Sequence, residues 1–319
     1  MKTRRHDQYM RMVQGLSEHA DLRLDANETA AFARQLEDID TELYRVEYPE
    51  QKGTKIIPIR TAIQEGAEEY TYRVMDKAGL SRVIANYAED LPRVDVQGKE
   101  VTVKLFGHGA SYGYSVQDLR RARMAGLPFD AERALAAREA IERKNDEILA
   151  FGESTVGVKG FLNGTGIDLV SVGVTGTWST ATGDQIVADL LLMERDIIED
   201  SNGVEMPDTV IMSPGQYALA STKRLANTET TALDFFLKKS VGVKSADHWH
   251  RCSLADAGGT GPRVAMGRRD RTRLEGLLPL PFASLPPQPV GLSYVVSCDS
   301  RCGGVIFRYP KSWRYMDGC

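Results

Sequence analysis

The chain has 319 residues, 42% hydrophobic and 26% charged, with a net charge of −4. This balance excludes a disordered or fibrous protein, and the mild acidity excludes a global basic field for nucleic acid. No apolar run is long enough to cross a membrane, and residues 1–20 lack the apolar segment of a secretory leader, so neither is expected.

Residues 1–25 are polar and mildly basic (Lys2, Arg4, Arg5, Arg11, Arg23) and read as an arm. A helix is predicted over 26–44, with Phe32, Leu36, Ile39 and Leu43 on one face and Asp25 as its cap. Tyr48-Pro49 and Lys52-Gly53 then break the chain. From 54 to 116 the period changes to two. Residues 55–59 look strand-like, with Pro58 making them an edge or a bend. Tyr70, Tyr72 and Val74 alternate with polar residues, as do Val94 and Val96, then Val101, Val103 and Leu105, then Tyr112, Tyr114 and Val116. The stretch 75–92 is polar and irregular. Residues 64–100 therefore read as a long two-stranded excursion, and a hairpin alone is barely stable in water. It needs another surface, and the sequence offers no obvious internal one.

Gly126-Leu-Pro128 leads into a predicted helix over 129–151, with Asp130 as candidate cap and Gly152 as left-handed stop. Ala134, Ala137, Ile141, Ile148 and Phe151 make one narrow apolar stripe, interrupted by Lys144. The remainder is charged, with Arg138 and Glu142, Glu139 and Arg143, and Arg143 and Glu147 each four apart. Such a helix sits in water or faces charged neighbours.

Residues 157–183 are rich in glycine, serine and threonine and read as loops and short strands. A helix is predicted over 184–200, with Ile186, Leu190, Met193 and Ile197 on one face and Asn202-Gly203 ending it. A buried strand covers 209–213. Ser213 caps a helix with Pro214 in first position, running to Leu225. Thr228 begins another, containing Leu233, Phe235, Phe236 and Leu237. Strands return at 263–266, 292–298 and 305–309. Five prolines between 278 and 289 (Pro279, Pro281, Pro286, Pro287, Pro289) make that stretch an extended crossing.

Chemistry is sparse. His248, His250 and Cys252 would share a face on a strand and are the best candidate zinc ligands, although no spacing matches a standard metal pattern. The glycine pairs at Gly164 and Gly166 and at 257–262 lack the endings of phosphate-binding loops. No nucleophile elbow occurs, and no cofactor is implied. The four cysteines (Cys252, Cys298, Cys302, Cys319) read as reduced thiols, with a late disulfide left open. Two arginine clusters, Arg120, Arg121 and Arg123, and Arg268, Arg269, Arg271 and Arg273, suit phosphates, a solvated turn or a neighbouring subunit's carboxylates.

The order of parts carries more information. A polar arm, a long β excursion, an exposed charged helix, a compact α/β stretch and a late return of strands follow one another. Gly160-Phe-Leu-Asn-Gly164, Pro207-Asp-Thr-Val-Ile-Met-Ser-Pro214 and Phe307-Arg-Tyr-Pro-Lys311 add local phrases. This order resembles the major capsid proteins of tailed phages, an α+β architecture of the HK97-like type, near its encapsulin-like branch. The resemblance implies an N-terminal arm and helix at 1–53 and an A domain at 161–267. It implies a P domain at 54–160 and 268–319, carrying the E-loop (64–100) and the spine helix (129–151). It implies a non-enzymatic coat protein assembling through pentamers and hexamers into an icosahedral shell around double-stranded DNA, in a virion put together in the host cytoplasm. Portal and, in some members, scaffolding or decoration proteins would be its partners, with packaged DNA touched non-specifically. The expected inter-subunit contacts are Glu69, Arg73, Lys77, Lys144, Arg268, Arg269 and Arg271. The alternatives are an encapsulin-type nanocompartment shell and a metal-dependent enzyme using His248, His250 and Cys252.

Overall fold

Proline and glycine divide the chain between helical turns and paired strands from its first described residues onward. The computed structural model describes residues 49–78, 95–125, 129–171, 177–256, 259 and 261–319. The arm, the helix predicted over 26–44 and most of the irregular stretch 75–92 lie outside the described residues. A single helical turn, α1 (Gly53–Ile56), stands where residues 55–59 predict a strand, and only β1 (Ile59–Arg60) is extended. Pro58 is the reason: it forces the preceding residue out of helical dihedrals, and Ile57 ends the turn at φ −97°, ψ 127°.

Strands β2 (Glu69–Ala78) and β3 (Asp95–Lys104) form one antiparallel hairpin, in register from Glu69 opposite Lys104 to Ala78 opposite Asp95. The apolar runs near 94–96 and 101–105 thus belong mostly to one strand, and β2 continues past Met75, where irregularity is expected. Next comes β4 (Phe106–Ser115), then α2 (Val116–Ala125), which the period does not reveal. Its signal is a Ser-x-x-Asp cap: Ser115 Oγ accepts from the Asp118 N–H at 3.0 Å, and the Asp118 carboxylate accepts from the Ser115 N–H at 3.3 Å. Arg120, Arg121 and Arg123 therefore stand on a helix, not on a turn.

Helix α3 (Phe129–Phe151) has the predicted bounds, with Asp130 inside its first turn instead of at the cap. It crosses a sheet in which β14 (Ser293–Cys302) pairs with β4 along its whole length. The other edge of β14 takes β12 (Leu280–Ser284) and β13 (Gln288–Val290). The proline-rich crossing is extended as predicted, and it takes an edge, where a missing N–H is tolerated. Ala137 and Ile141 of α3 pack on Val296 and Cys298. The C-terminal half of α3 departs from the single-stripe expectation, because Asn145, Asp146, Ile148, Leu149 and Ala150 are all buried. Asn145 Nδ2 donates to Ser300 Oγ at 3.1 Å and to the Pro281 carbonyl at 3.2 Å. Asp146 Oδ1 accepts from the Gly53 N–H (2.8 Å) and Trp249 Nε1 (3.2 Å), and its Oδ2 accepts from Arg251 Nε at 2.8 Å. Gly152 ends the helix at φ +74°, as predicted, and opens a short pair of β5 (Gly152–Glu153) with β6 (Val158–Lys159).

A second, five-stranded sheet has the order β7 (Asp168–Ser171), β16 (Trp313–Asp317), β10 (Arg263–Gly267), β8 (Thr209–Met212), β9 (Ser245–His248). Val210, Met212, Val264 and Met266 face helices α4 (Gly183–Asp200), α5 (Pro214–Thr222) and α6 (Ala232–Lys239). Ile211, Ala265 and Tyr315 face the opposite core of Leu149, Phe161, Trp249 and Trp313. The predicted stripe of α4, Ile186, Leu190, Met193 and Ile197, is fully buried, and each such side chain contributes about 1.5–3 kcal/mol. A reciprocal cap between Thr182 and Gln185 starts α4.

Three boundaries differ from the sequence reading. Helix α5 stops at Thr222, because Lys223 turns extended (ψ 125°) and sends its ammonium to the carbonyls of Trp178, Ser179 and Ala181 at 2.5–2.8 Å. Helix α6 starts at Ala232 under a Thr231 cap, not at Thr228. Strand β16, from the end of the chain, lies inside the five-stranded sheet, so the stretch 161–267 does not contain that sheet by itself. All four cysteines are free and buried. Cys298 and Cys302 share a face of one strand but lie four residues apart along it, roughly 13 Å, too far for a disulfide.

Candidate assembly interface

The hairpin β2–β3 has one semi-apolar face and one polar face, as its alternation dictates. Tyr70, Tyr72 and Val103 rest on Leu105, Leu277 and Ile306, with Ile63 and Ala67 beside them. The base of the excursion thus has an internal surface, which the sequence does not reveal because Leu277 and Ile306 come from strands two hundred residues away. Those strands are β11 (Leu274–Leu277) and β15 (Val305–Phe307), which with β1 form a three-stranded sheet. Two guanidinium groups stack on the tyrosines, Arg60 at 5.7 Å from the Tyr70 ring and Arg308 at 5.6 Å from the Tyr72 ring. Burial pushes the Tyr72 phenol above its ordinary pKa despite Arg308.

The opposite face carries Glu69, Thr71, Arg73 and Met75, all exposed. Arg73 Nε meets Glu100 Oε1 across the ladder at 2.7 Å, and the Thr71 and Thr102 hydroxyls meet at 2.8 Å. Lys77 lies further out on β2, in register with Val96. At about 3.3 Å per residue, ten residues give a ribbon of roughly 33 Å.

Beside the base lies a cleft of about 780 Å³ lined by Arg60, Arg73, Arg271, Arg273 and Arg308, with Glu275 and Tyr309. The buried Glu275 carboxylate accepts from Arg60 Nε at 3.0 Å and from Arg308 Nη2 at 2.5 Å. Glu205 takes Arg273 at 3.0 Å, and Arg273 also sits 5.3 Å from the Tyr309 ring. The structure therefore brings Arg73 and Arg271 to one cleft. Arg268 and Arg269 go elsewhere: Arg268 lies 3.8 Å from both Glu205 and Asp270, and Arg269 lies 3.7 Å from Asp247. Lys144 reaches Glu147 at 3.3 Å and Glu153 at 3.2 Å. Burial works against its charge, but the hydrogen bonds to Glu153 and Glu147 outweigh it and hold the ammonium above its usual pKa. Sequence reasoning misses Arg60 and Arg308, which stand alone in their segments and meet only through Glu275.

The proposed zinc ligands do not converge. The strand ends at His248, and a 3-10 turn (His250–Leu254) begins two residues later, so alternate residues no longer share a face. His248 Nε2 lies 2.8 Å from Lys52 Nζ, burial pushes the His250 imidazole down, and burial pushes the Cys252 thiol far up. Among the described residues no group of three His, Cys, Asp or Glu is placed to hold a metal ion. His248, His250 and Cys252 therefore do not form the site that the metal-enzyme alternative needs.

Residues 79–319 match the family model described as Major capsid protein. The chain belongs to that family. No curated protein matches. Among solved structures, the capsid of Myoviridae phage XM1 is similar at 18% identity and TM-score 0.79, covering 90% of this chain and 98% of that one. The capsid of a native GTA particle is similar at 14% identity and TM-score 0.63, covering 90% of this chain and 97% of the other. A virus-like particle from Pyrococcus furiosus is similar at 13% identity and TM-score 0.52, covering 82% and 90%. The fold is HK97-like, the fold of those phage capsid subunits, and the protein is a major capsid protein. Its role in that family is structural, its partner is itself, and its place is the capsid.

Proposed function

We propose that this capsid protein builds the icosahedral head of a tailed phage from pentamers and hexamers, closed around double-stranded DNA. In this reading β2–β3 and the segment between them form an E-loop that lies across a neighbouring subunit. The observation that carries it is the hairpin itself, whose base is anchored on Leu105, Leu277 and Ile306 while Glu69, Thr71, Arg73 and Met75 face outward. A marginal ribbon of this length gains its remaining stability from a partner surface. The axial domain comprises 161–267 together with β16, the peripheral domain comprises the β4–β14 sheet with α3 as spine, and residues 1–53 supply the arm. Glu69, Arg73, Lys77 and Arg271 are the inter-subunit contacts this supports best. Lys144, Arg268 and Arg269, which lie outside both the hairpin and the cleft lining, contribute less. Packaged DNA is met through phosphates only, assembly takes place in the host cytoplasm, and a portal completes the head, with scaffolding or decoration proteins as further partners.

Replacing residues 76–97 with an Asn-Gly turn tests the reading while leaving the anchored base in place. The expected result is a folded, soluble subunit that forms no shells in negative-stain microscopy. Normal shells from this variant would refute the E-loop assignment. A nanocompartment of the encapsulin type is the second reading, since a virus-like particle from Pyrococcus furiosus shares the fold. Nuclease-protected DNA inside purified shells decides for the phage head, and protein cargo without DNA decides for the compartment.

A further inference from the structure

Two surfaces at the hairpin base carry charge left unbalanced among the described residues. In the cleft, five guanidinium groups face three carboxylates: Glu275 serves Arg60 and Arg308, Glu100 serves Arg73, and Glu205 serves Arg273. Five minus three leaves an excess of two positive charges. Arg271 is exposed and forms no side-chain ion pair among the described residues. The second surface is the turn between β1 and β2 with the first residue of β2, where Glu65, Glu68 and Glu69 are exposed and likewise form no ion pair among the described residues. That turn is held in shape by Arg301, whose guanidinium donates to the Glu65 carbonyl and, at 2.9 Å, to the Ala67 carbonyl. The Leu105 N–H donates to the Glu68 carbonyl at 2.7 Å. A preorganised acidic knob and a preorganised basic cleft therefore coexist on one chain.

In a closed ring of identical subunits, one patch of each copy faces a different patch of the next. Opposite charge on the two patches steers that contact and penalises its reversal. We propose that the arginine cleft around Arg271 receives the 65–69 turn of a neighbouring copy, an inference that rests on the shell reading above. The planar guanidinium fork suits carboxylate oxygens, and the excess of two in the cleft is close to the three negative charges of the turn. Every copy supplies one cleft and one turn, so the contact propagates through a shell without leftover partners. DNA phosphate is the competing anion, but a phosphate track needs a basic stripe, which a chain of net charge −4 with a localised cleft does not provide.

The test is charge reversal on both sides, with full-length chains. Arg271→Glu alone, and Glu68→Arg with Glu69→Arg, should each raise the subunit concentration needed for shell formation on the order of tenfold at about 0.1 M salt, where exposed charges still act over ~10 Å. The effect should shrink as salt rises. Arg271→Gln should shift it in the same direction by less. Combining all three reversals in one chain should restore assembly, read by analytical ultracentrifugation and negative-stain microscopy, with circular dichroism melts confirming that each variant folds. A folded triple variant no better than the worse parent overturns the proposal, and so does Arg271→Glu assembling like wild type. Normal shells from Arg271→Glu that protect less DNA would overturn it in favour of a phosphate site. Wild-type protein that forms no shells would instead strike the shell reading itself.

Discussion

Asp146→Ala tests how the spine helix is joined to the rest of the subunit. The carboxylate is 2% exposed and is shared by three elements: the Gly53 N–H of α1, the Trp249 indole after β9, and Arg251 in the turn that follows. Truncation leaves the Arg251 guanidinium, whose side chain is 20% exposed, without its carboxylate at 2.8 Å, and leaves two further donors without an acceptor. Breaking one side of a buried pair costs about 3–5 kcal/mol. Arg251 keeps some solvent and its bond to the Arg143 carbonyl at 3.3 Å, so about 3 kcal/mol is the expectation. Asp146→Asn keeps the shape and one acceptor oxygen while losing the charge, and should cost about 1–2 kcal/mol. Urea unfolding of unassembled subunits, followed by tryptophan fluorescence, measures both, with Trp249 beside the lesion as reporter. Glu142→Ala, which removes the exposed pair with Arg138, is the control and should leave the midpoint unchanged. An Asp146→Ala loss below about 1 kcal/mol, or equal losses for Ala and Asn, would refute the account of this carboxylate as a shared, charged tie.

Gly152→Ala should cost at least about 2 kcal/mol, because the residue sits at φ +74° and a Cβ there would lie 2.2 Å from the Val158 carbonyl oxygen. A thermal melt of the unassembled variant checks this, and a neutral outcome would mean that the turn after α3 shifts freely. Stability should also fall between pH 7 and 5. Burial, with Lys144 adding to it, lowers the His108 pKa from 6.5, and burial lowers that of His250. The unfolded chain then binds protons that the folded chain refuses. The full stability is therefore present above about pH 6.5 and declines as pH drops toward the lowered folded values. His108→Gln should flatten the dependence of the denaturation midpoint on pH, and an unchanged slope would remove His108 from the explanation.

Local signals were the most legible. The bounds of α3, the capped start of α5, and the proline-rich edge all follow from residues within a few positions of the feature they set. What the sequence hid depends on distant partners. The hairpin base finds its support in Leu277 and Ile306, β16 returns from the far end of the chain to lie inside the five-stranded sheet, and Arg60 and Arg308 meet at Glu275 across more than two hundred residues. Burial of polar residues was equally opaque. Asn145 and Asp146 read as part of a solvated face, because nothing local announces Ser300, Trp249 or Arg251 as their partners. The arginine run 268–273 looked like one patch, yet backbone geometry sends Arg268 and Arg269 to internal carboxylates and leaves Arg271 outside.

These differences change what the spine helix does. A helix with one thin stripe along its whole length would slide or tilt as a unit, since nothing would hold either end more firmly. In this subunit the two ends are unlike. From Asn145 onward it is fixed by two adjacent polar ties pointing to different elements, Asn145 to the β4–β14 sheet and Asp146 to α1 and the segment after β9, with Ile148, Leu149 and Ala150 fully buried around them. Lys144 closes that end by binding Glu147 and Glu153. From Leu135 to Ala140, by contrast, Leu135, Ala136, Arg138, Glu139 and Ala140 are exposed and only Ala137 is buried. The N-terminal half is tied less deeply, by Arg133 donating to the Gly113 carbonyl at 2.8 Å and by Ala137 and Ile141 packed on Val296 and Cys298.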